Sequence, residues 1–345
     1  MTPDLPASLW PLVQRAAAGG AWPPSSPADA DAFLAQATRQ GLLPLLFESE
    51  DGLPPAVRAS LEGHRGWLRV HARRMALLGE AIPRLCGALA GEPFVLLKGA
   101  DYGHRLYPRP DLRPMEDIDV LVPRGRIDEV CARLQAAGLR RRFPAGPVSR
   151  VATYHERVFD WDGVIVEVHH SFIQRPRHHI DYGAVWRRRL PLEADGWRAA
   201  RLDDADGLAY HALSLGIDAF AVPLVRYLDL WLMLRRAPGV LEPAAARARQ
   251  WQAVHAFYGA FRQAFRFFPE LLTAERAAVV DGLLRAPVRA FVDRFVLPPP
   301  REHGRERQVG RGLRLWRKFW LMDNLRRRAG FALQHVYAVT AGRWS

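Results

Sequence analysis

Two carboxylates stand two residues apart in Glu116-Asp117-Ile118-Asp119-Val120-Leu121-Val122, inside an otherwise apolar run. Alternate side chains of a strand share a face, so Asp117 and Asp119 are predicted to point the same way. Carboxylates flanked by Ile and Val are costly to bury unless a cation compensates them. A third carboxylate, Glu167, lies in a second apolar run, Val164-Ile165-Val166-Glu167-Val168-His169. Three such groups can form the donor set of a hard divalent ion, because Mg2+ takes a few carboxylates together with substrate phosphates. For an Asp-x-Asp taken alone, a solvated strand edge is the better reading.

A cation precedes them. Lys98 is the only lysine in the first 317 residues of a chain with 47 arginines, and it closes the run Phe94-Val95-Leu96-Leu97 just before Gly99-Ala100. A glycine between strand and helix lets an anion approach the backbone, where free N–H groups attract phosphate. The same glycine also suits a tight turn with no ligand. Lys98 reads as a point charge on such a phosphate, or as an exposed strand-end lysine. Arg113 is expected either at a phosphate or in a surface pair with Glu116. His169 shares the face of Glu167 and reads as a packed histidine, with a role beside the site as the alternative. His170, His178 and His179 read as loop histidines, and Arg226 with Asp229 as a structural pair on one helix.

In this order the motifs resemble the nucleotidyltransferase superfamily of DNA polymerase beta, and more closely its bacterial branch known as the uncharacterised nucleotidyltransferase family. The likeness rests on Leu97 to Ala100, Leu106-Tyr107-Pro108, Arg113, Asp117 to Val122, Glu167-Val168-His169 and Arg226-Tyr227-Leu228-Asp229-Leu230, and covers roughly residues 30–240. The resemblance implies a small α/β (α+β) core with a mixed sheet. It implies Asp117, Asp119 and Glu167 as catalytic metal ligands, and Lys98, Gly99, Ala100 and Arg113 as nucleotide-binding. It implies Mg2+ or Mn2+ as cofactor and a nucleoside triphosphate, with ATP expected, as co-substrate. The acceptor is open between small molecule, peptide, protein and RNA. Two departures stand out. The usual Gly-Ser or Gly-Gly is Gly99-Ala100, which removes a hydroxyl, and 18 positions separate Gly99 from Asp117, which implies an insert. The missing hydroxyl favours a rival, a catalytically inactive nucleotide-binding scaffold.

The whole chain sets further bounds. With 345 residues, 49% of them hydrophobic and 25% charged, it can bury a full core. No apolar stretch approaches the roughly 18 residues of a membrane helix, and no signal-peptide pattern is visible, so a cytoplasmic location is expected. Cys86 and Cys131 are too few for a disulfide framework or a cysteine zinc site. Net charge is +13, and residues 301–345, with 11 basic and 3 acidic groups, hold +8 of it. That basic, aromatic tail suits an acidic partner or membrane surface; a terminal helix packed by its aromatic face on the core is the favoured alternative. A peripheral adaptor working through the tail is therefore a second rival.

Periodicity suggests four regions. Residues 1–90 form an N-terminal helical region, with helices at Leu9–Ala18, Asp29–Gln40 and Leu42–Glu48 and a longer helical stretch from Pro54 to Leu89, kinked at Pro83. Residues 91–180 form the core: strand Phe94–Leu97, helix Ala100–Leu106, strand Ile118–Val122, helix Arg126–Ala137, and strands Arg150–Trp161 and Val164–Phe172 joined at Asp162-Gly163, a hairpin signal. After about residue 180 the strand signal fades, and residues 181–300 read as a helical region, with helices over Asp203–Leu215, Pro223–Leu234, Ala244–Phe268 and Ala274–Leu297, before a linker at Pro298-Pro299-Pro300. A helical tail over 309–338 lies within 301–345.

Overall fold

The computed structural model describes residues 27–142, 155–173, 178–194, 196–298 and 311–324, with scattered positions to 333. The expected helix at Leu9–Ala18, the first residues of the strand from Arg150, most of the proline linker and much of the tail lie outside the described residues. The fold is mixed α/β, as expected. Four N-terminal helices come first: α1 (Pro27–Arg39), α2 (Leu43–Glu48), α3 (Pro55–Leu61) and α4 (Arg65–Ala88), the last running on through Pro83. Then follow β1 (Val95–Leu96), α5 (Lys98–Leu106), β2 (Asp117–Leu121), α6 (Ile127–Ala136), β3 (Arg140–Arg141), β4 (Glu156–Trp161) and β5 (Val164–His169).

These strands form one five-stranded sheet in the order β1-β2-β5-β4-β3. Only β2 and β5 pair in parallel. The turn between β4 and β5 has positive φ at both Asp162 (52°) and Gly163 (87°), the conformation that Asp-Gly favours in a two-residue hairpin. Because side chains alternate, the sheet has two distinct faces. Ile118, Val120, Val166, Val168 and Phe159 point to one face, where they pack in a core with Leu78, Ile82 and Leu85 of α4 and Val130 and Leu134 of α6. Asp117, Asp119, Glu167, His169 and Glu156 share the other.

The second face looks toward a larger helical core. It is built from α7 (Tyr182–Arg188), α8 (Asp204–Ile217), α9 (Leu224–Arg236), α10 (Leu241–Gln250) and α11 (Val254–Phe267), together with residues of α1, α2 and α3. The N-terminal region is thus divided in space: residues 30–61 join the helical core, while residues 75–89 back the sheet. One contact shows how residues 30–61 are fastened to the helical core. Gln40, just after α1, accepts the Leu224 N–H on its side chain (2.9 Å) and the Val225 N–H on its carbonyl (3.1 Å), so it caps α9. The next residue, Gly41, has φ +69°, and a Cβ there would lie 2.8 Å from Val225 Cγ1; both features call for glycine.

Three expectations are corrected. The strand signal does not end near residue 180, since β6 (Leu190–Ala194) and β7 (Trp197–Arg201) form an antiparallel pair whose Leu192 and Trp197 join the core behind the first sheet. Pro191 and the charged residues of these strands mask the pattern. The helix expected over Ala244–Phe268 breaks at Gln252, which has φ 54°. That expected over Ala274–Leu297 divides into α12 (Ala274–Asp281) and α13 (Ala286–Phe291), followed by a π-turn over Val292–Val296.

The described part of the tail is docked. α14 (Arg311–Trp320) packs Trp320 against Phe291, with ring centroids 4.7 Å apart and the rings tilted by 57°, and Leu321 and Met322 are buried. Asp323 accepts the N–H groups of Val254 (2.8 Å) and His255 (3.0 Å), closing the start of α11. No helix among the described residues is long and apolar enough to cross a membrane. Truncation after residue 300 is expected to cost at least about 3 kcal/mol, from lost burial of Leu321 and Met322 alone. Denaturant unfolding of the truncated and full chains measures it, and equal stabilities would return the tail to a solvated role.

Candidate functional site

The parallel register sets Asp119 directly opposite Glu167 and Asp117 opposite Ile165. Asp119 is almost fully buried, while Asp117 and Glu167 are partly exposed. Two neighbouring carboxylates in such a place need positive charge, and two groups supply it. Lys98 Nζ donates to Asp119 Oδ1 at 2.6 Å, and His169 Nε2 lies 2.9 Å from the same oxygen and 3.4 Å from Glu167 Oε2. The lysine that makes this contact has a left-handed backbone, with φ 46°. A non-glycine residue in that region is strained, and such strain concentrates at functional positions.

The electrostatics follow from this geometry. Burial works to raise Asp119, but Lys98 and His169 hold it well below the usual carboxylate range. Burial and the neighbouring Asp119 charge push Asp117 up to about 7. Burial opposes the charged form of His169, yet hydrogen bonds to the Asp119 and Glu167 carboxylates bring it to about 9. Burial raises Glu156, which lies one strand further along the same face.

All these groups line one cavity of about 870 Å3, together with Gly99, Tyr210, Trp67 and Arg226. The volume lies within the range of sites that take ligands the size of a nucleotide. One ligand atom each from Asp119, Glu167 and His169 falls within 4.8 Å of the other two. This oxygen-rich set, with Asp117 beside it, fits a divalent ion. The carboxylate oxygens suit Mg2+ and Mn2+ alike, with the His169 imidazole beside them holding Asp119. The raised Asp117 points the same way, since positive charge is still wanted there.

The remaining expected residues behave differently. Gly99 lines the cavity, and a Cβ on it would lie 2.8 Å from Met115 Cβ and 2.9 Å from Arg113 Nη1, so packing alone demands glycine. Ala100 is buried in the core behind the sheet. Arg113 also borders the cavity, but its guanidinium is committed elsewhere: Nη2 lies 2.8 Å from Asp229 Oδ2, and Nε donates to both oxygens of that carboxylate. Tyr107 OH donates to Asp229 Oδ1 at 2.8 Å. Arg113 is therefore a brace between the loop before β2 and α9, paired with Asp229 where a surface pair with Glu116 was the alternative expectation. Asp229 likewise does not pair with Arg226, which binds Asp218 and Ser214. His169 was undervalued in the sequence. Its two-residue spacing from Glu167 was the available signal, and its central place became visible only with the register. Glu156 and His155 carried no signal of their own.

Two outcomes follow. Asp229→Ala would leave Arg113 charged and unpaired in the interior and is expected to cost about 3–5 kcal/mol in denaturant unfolding; a change below about 1 kcal/mol, the value of a surface pair, would mean that the brace is solvated. In metal-stripped protein, Asp119→Asn removes the largest influence raising His169 and leaves the burial that lowers it. The histidine ring signal in an NMR titration should then shift to a lower midpoint than the wild type's, about 9. An unmoved titration would mean that Asp119 is not its partner.

No curated protein and no solved structure matches the chain. A family model does: that of the uncharacterised nucleotidyltransferases, over residues 26–269, which takes in the sheet with its backing core, most of the helical core and every residue of the site described above. The chain belongs to the uncharacterised nucleotidyltransferase family.

Proposed function

We propose that the chain transfers a nucleoside monophosphate from a nucleoside triphosphate, with ATP as the first candidate, to a hydroxyl acceptor. The observation that carries this is the convergence of Asp119 and Glu167 on paired strands, with Lys98 beside them, in a cavity large enough for a nucleotide. In this reading Asp117 and Asp119 hold the ion that accompanies the triphosphate, and Glu167 completes the donor set. Bound there, Mg2+ or Mn2+ would offset phosphate charge and lower the acceptor's pKa. Lys98, 31% exposed at the cavity wall, is assigned to the triphosphate oxygens. Gly99 keeps the adjoining backbone bare. The acceptor oxygen attacks the α-phosphorus in line, its proton passes to the Glu167 carboxylate, and the bond to the bridging oxygen breaks to release pyrophosphate. A cytoplasmic location belongs to the same proposal, supported by the two buried, unpaired cysteines.

One observation favours a second reading, a nucleotide-binding scaffold without turnover. Lys98 already neutralises Asp119, and Ala100 offers no hydroxyl to a phosphate. One experiment separates the two. Each triphosphate is incubated with Mg2+ or Mn2+ and cell extract, and pyrophosphate release is followed together with mass analysis of the protein and extract. Asp117→Asn and Asp119→Asn should each lower turnover at least about hundredfold, the loss expected when a unit of cooperating catalytic groups is broken. Turnover within about twofold of wild type in either variant would remove these carboxylates from the chemistry. Binding without pyrophosphate release would establish the scaffold, and the labelled product identifies the acceptor as small molecule, peptide, protein or RNA.

A further inference from the structure

A second cluster adjoins the first on the side away from Lys98. His155 Nε2 lies 3.3 Å from Glu156 Oε2, and His169 Nδ1 lies 3.6 Å from the same oxygen. One ligand atom from each of the three residues falls within 4.8 Å of the other two. These separations are longer than good hydrogen bonds. They are close to the ligand–ligand edge of a tetrahedral zinc site, which bonds of 2.0–2.1 Å fix at about 3.3 Å.

The local structure explains how neighbouring residues converge. On a regular strand His155 and Glu156 would point to opposite faces. His155, however, stands in the turn just before β4, where the His170 N–H donates to its carbonyl at 2.9 Å. Glu156 opens the strand and pairs with His169 across the sheet. His169 is oriented from behind. In the tautomer that donates Nε2–H to Asp119 Oδ1 at 2.9 Å, Nδ1 presents its lone pair toward Glu156 and His155. A carboxylate behind a histidine in this way is the usual support of a metal-bound imidazole.

We infer that His155, Glu156 and His169 form a second cation site, selective for a zinc-class transition ion and distinct from the oxygen-rich site of Asp117, Asp119 and Glu167. Two imidazole nitrogens and one carboxylate are soft enough to prefer Zn2+ or Co2+ over Mg2+. All three residues line the 870 Å3 cavity, so the remaining coordination position faces the space where substrate would lie, as in an open rather than a closed structural site. The inference rests on donor geometry and does not require that the chain transfer nucleotides.

The test is Co2+ titration of the full-length, metal-stripped chain, read by visible absorption, with Zn2+ as competitor. One Co2+ per chain is expected, with the intense absorption of a tetrahedral ion, displaced by Zn2+ and not by excess Mg2+. His155→Ala and Glu156→Gln should each weaken it at least about tenfold, since loss of even an outer-shell partner costs that much. Asp117→Asn should leave it unchanged. Two results overturn the site: Co2+ affinity unaffected in both His155→Ala and Glu156→Gln, or a weakly absorbing octahedral ion lost in Asp117→Asn and displaced by Mg2+. Failure of nucleotidyl transfer would appear separately, as intact Co2+ binding without pyrophosphate release.

Discussion

Parallel pairing of β2 with β5 places two carboxylates, Asp119 and Glu167, side by side on one sheet face, and much of the structure answers that repulsion. Apolar side chains on the opposite face fix the register, because a one-residue slip would exchange the two faces of a strand. The carboxylates are thus held together by a hydrophobic core on the far side of the sheet. Their charge is met by Lys98 and His169, both of which act on the same oxygen, Asp119 Oδ1. The outcome is unequal: Asp119 is kept ionised, while Asp117, with less compensation, is raised to about 7.

The site also depends on joining two cores. The sheet and its backing helices form one, and the helices of residues 202–321 with the N-terminal helices form the other. Arg113 and Asp229, distant in sequence, connect them through a buried bidentate pair, with the Tyr107 hydroxyl on the same carboxylate. Such a pair adds little net stability over apolar contacts, but breaking it is costly. Its effect is to hold α9 over the loop that leads into β2. Gly99 fits beneath this brace, in the space bounded by Arg113 and Met115.

Local features were legible in the sequence. The Asp117–Asp119 face and the Glu167–His169 face follow from a period of two, and the turn at Asp162-Gly163 follows from the conformations those residues tolerate. What escaped depends on tertiary packing. The distance in sequence between Arg113 and Asp229 leaves no local trace of their pairing, so the neighbouring Glu116 was the only carboxylate partner the sequence offered. The β6–β7 hairpin escaped because its strands carry a proline and several charges, and it gains its stability from burying Leu192 and Trp197 against another element. His169 escaped for a different reason. A lone histidine on a strand is usually a packed one, and only the neighbouring strands show that it stands among three carboxylates.

The one lysine in a long arginine-rich stretch finds its explanation in the same place. Lys98 must leave a left-handed backbone position and reach Asp119 Oδ1 at 2.6 Å in a partly buried space that His169 Nε2 also enters. A compact ammonium meets that need with a single rotatable charge. The planar guanidinium of arginine carries its donors in a rigid fork and seeks both oxygens of a carboxylate. At Arg113 that habit is satisfied by Asp229. At position 98 the same fork would compete for the second oxygen of Asp119, which a divalent ion would need, and it would crowd the imidazole on the first. The side chain that neutralises Asp119 without enclosing it leaves the carboxylate able to serve a metal.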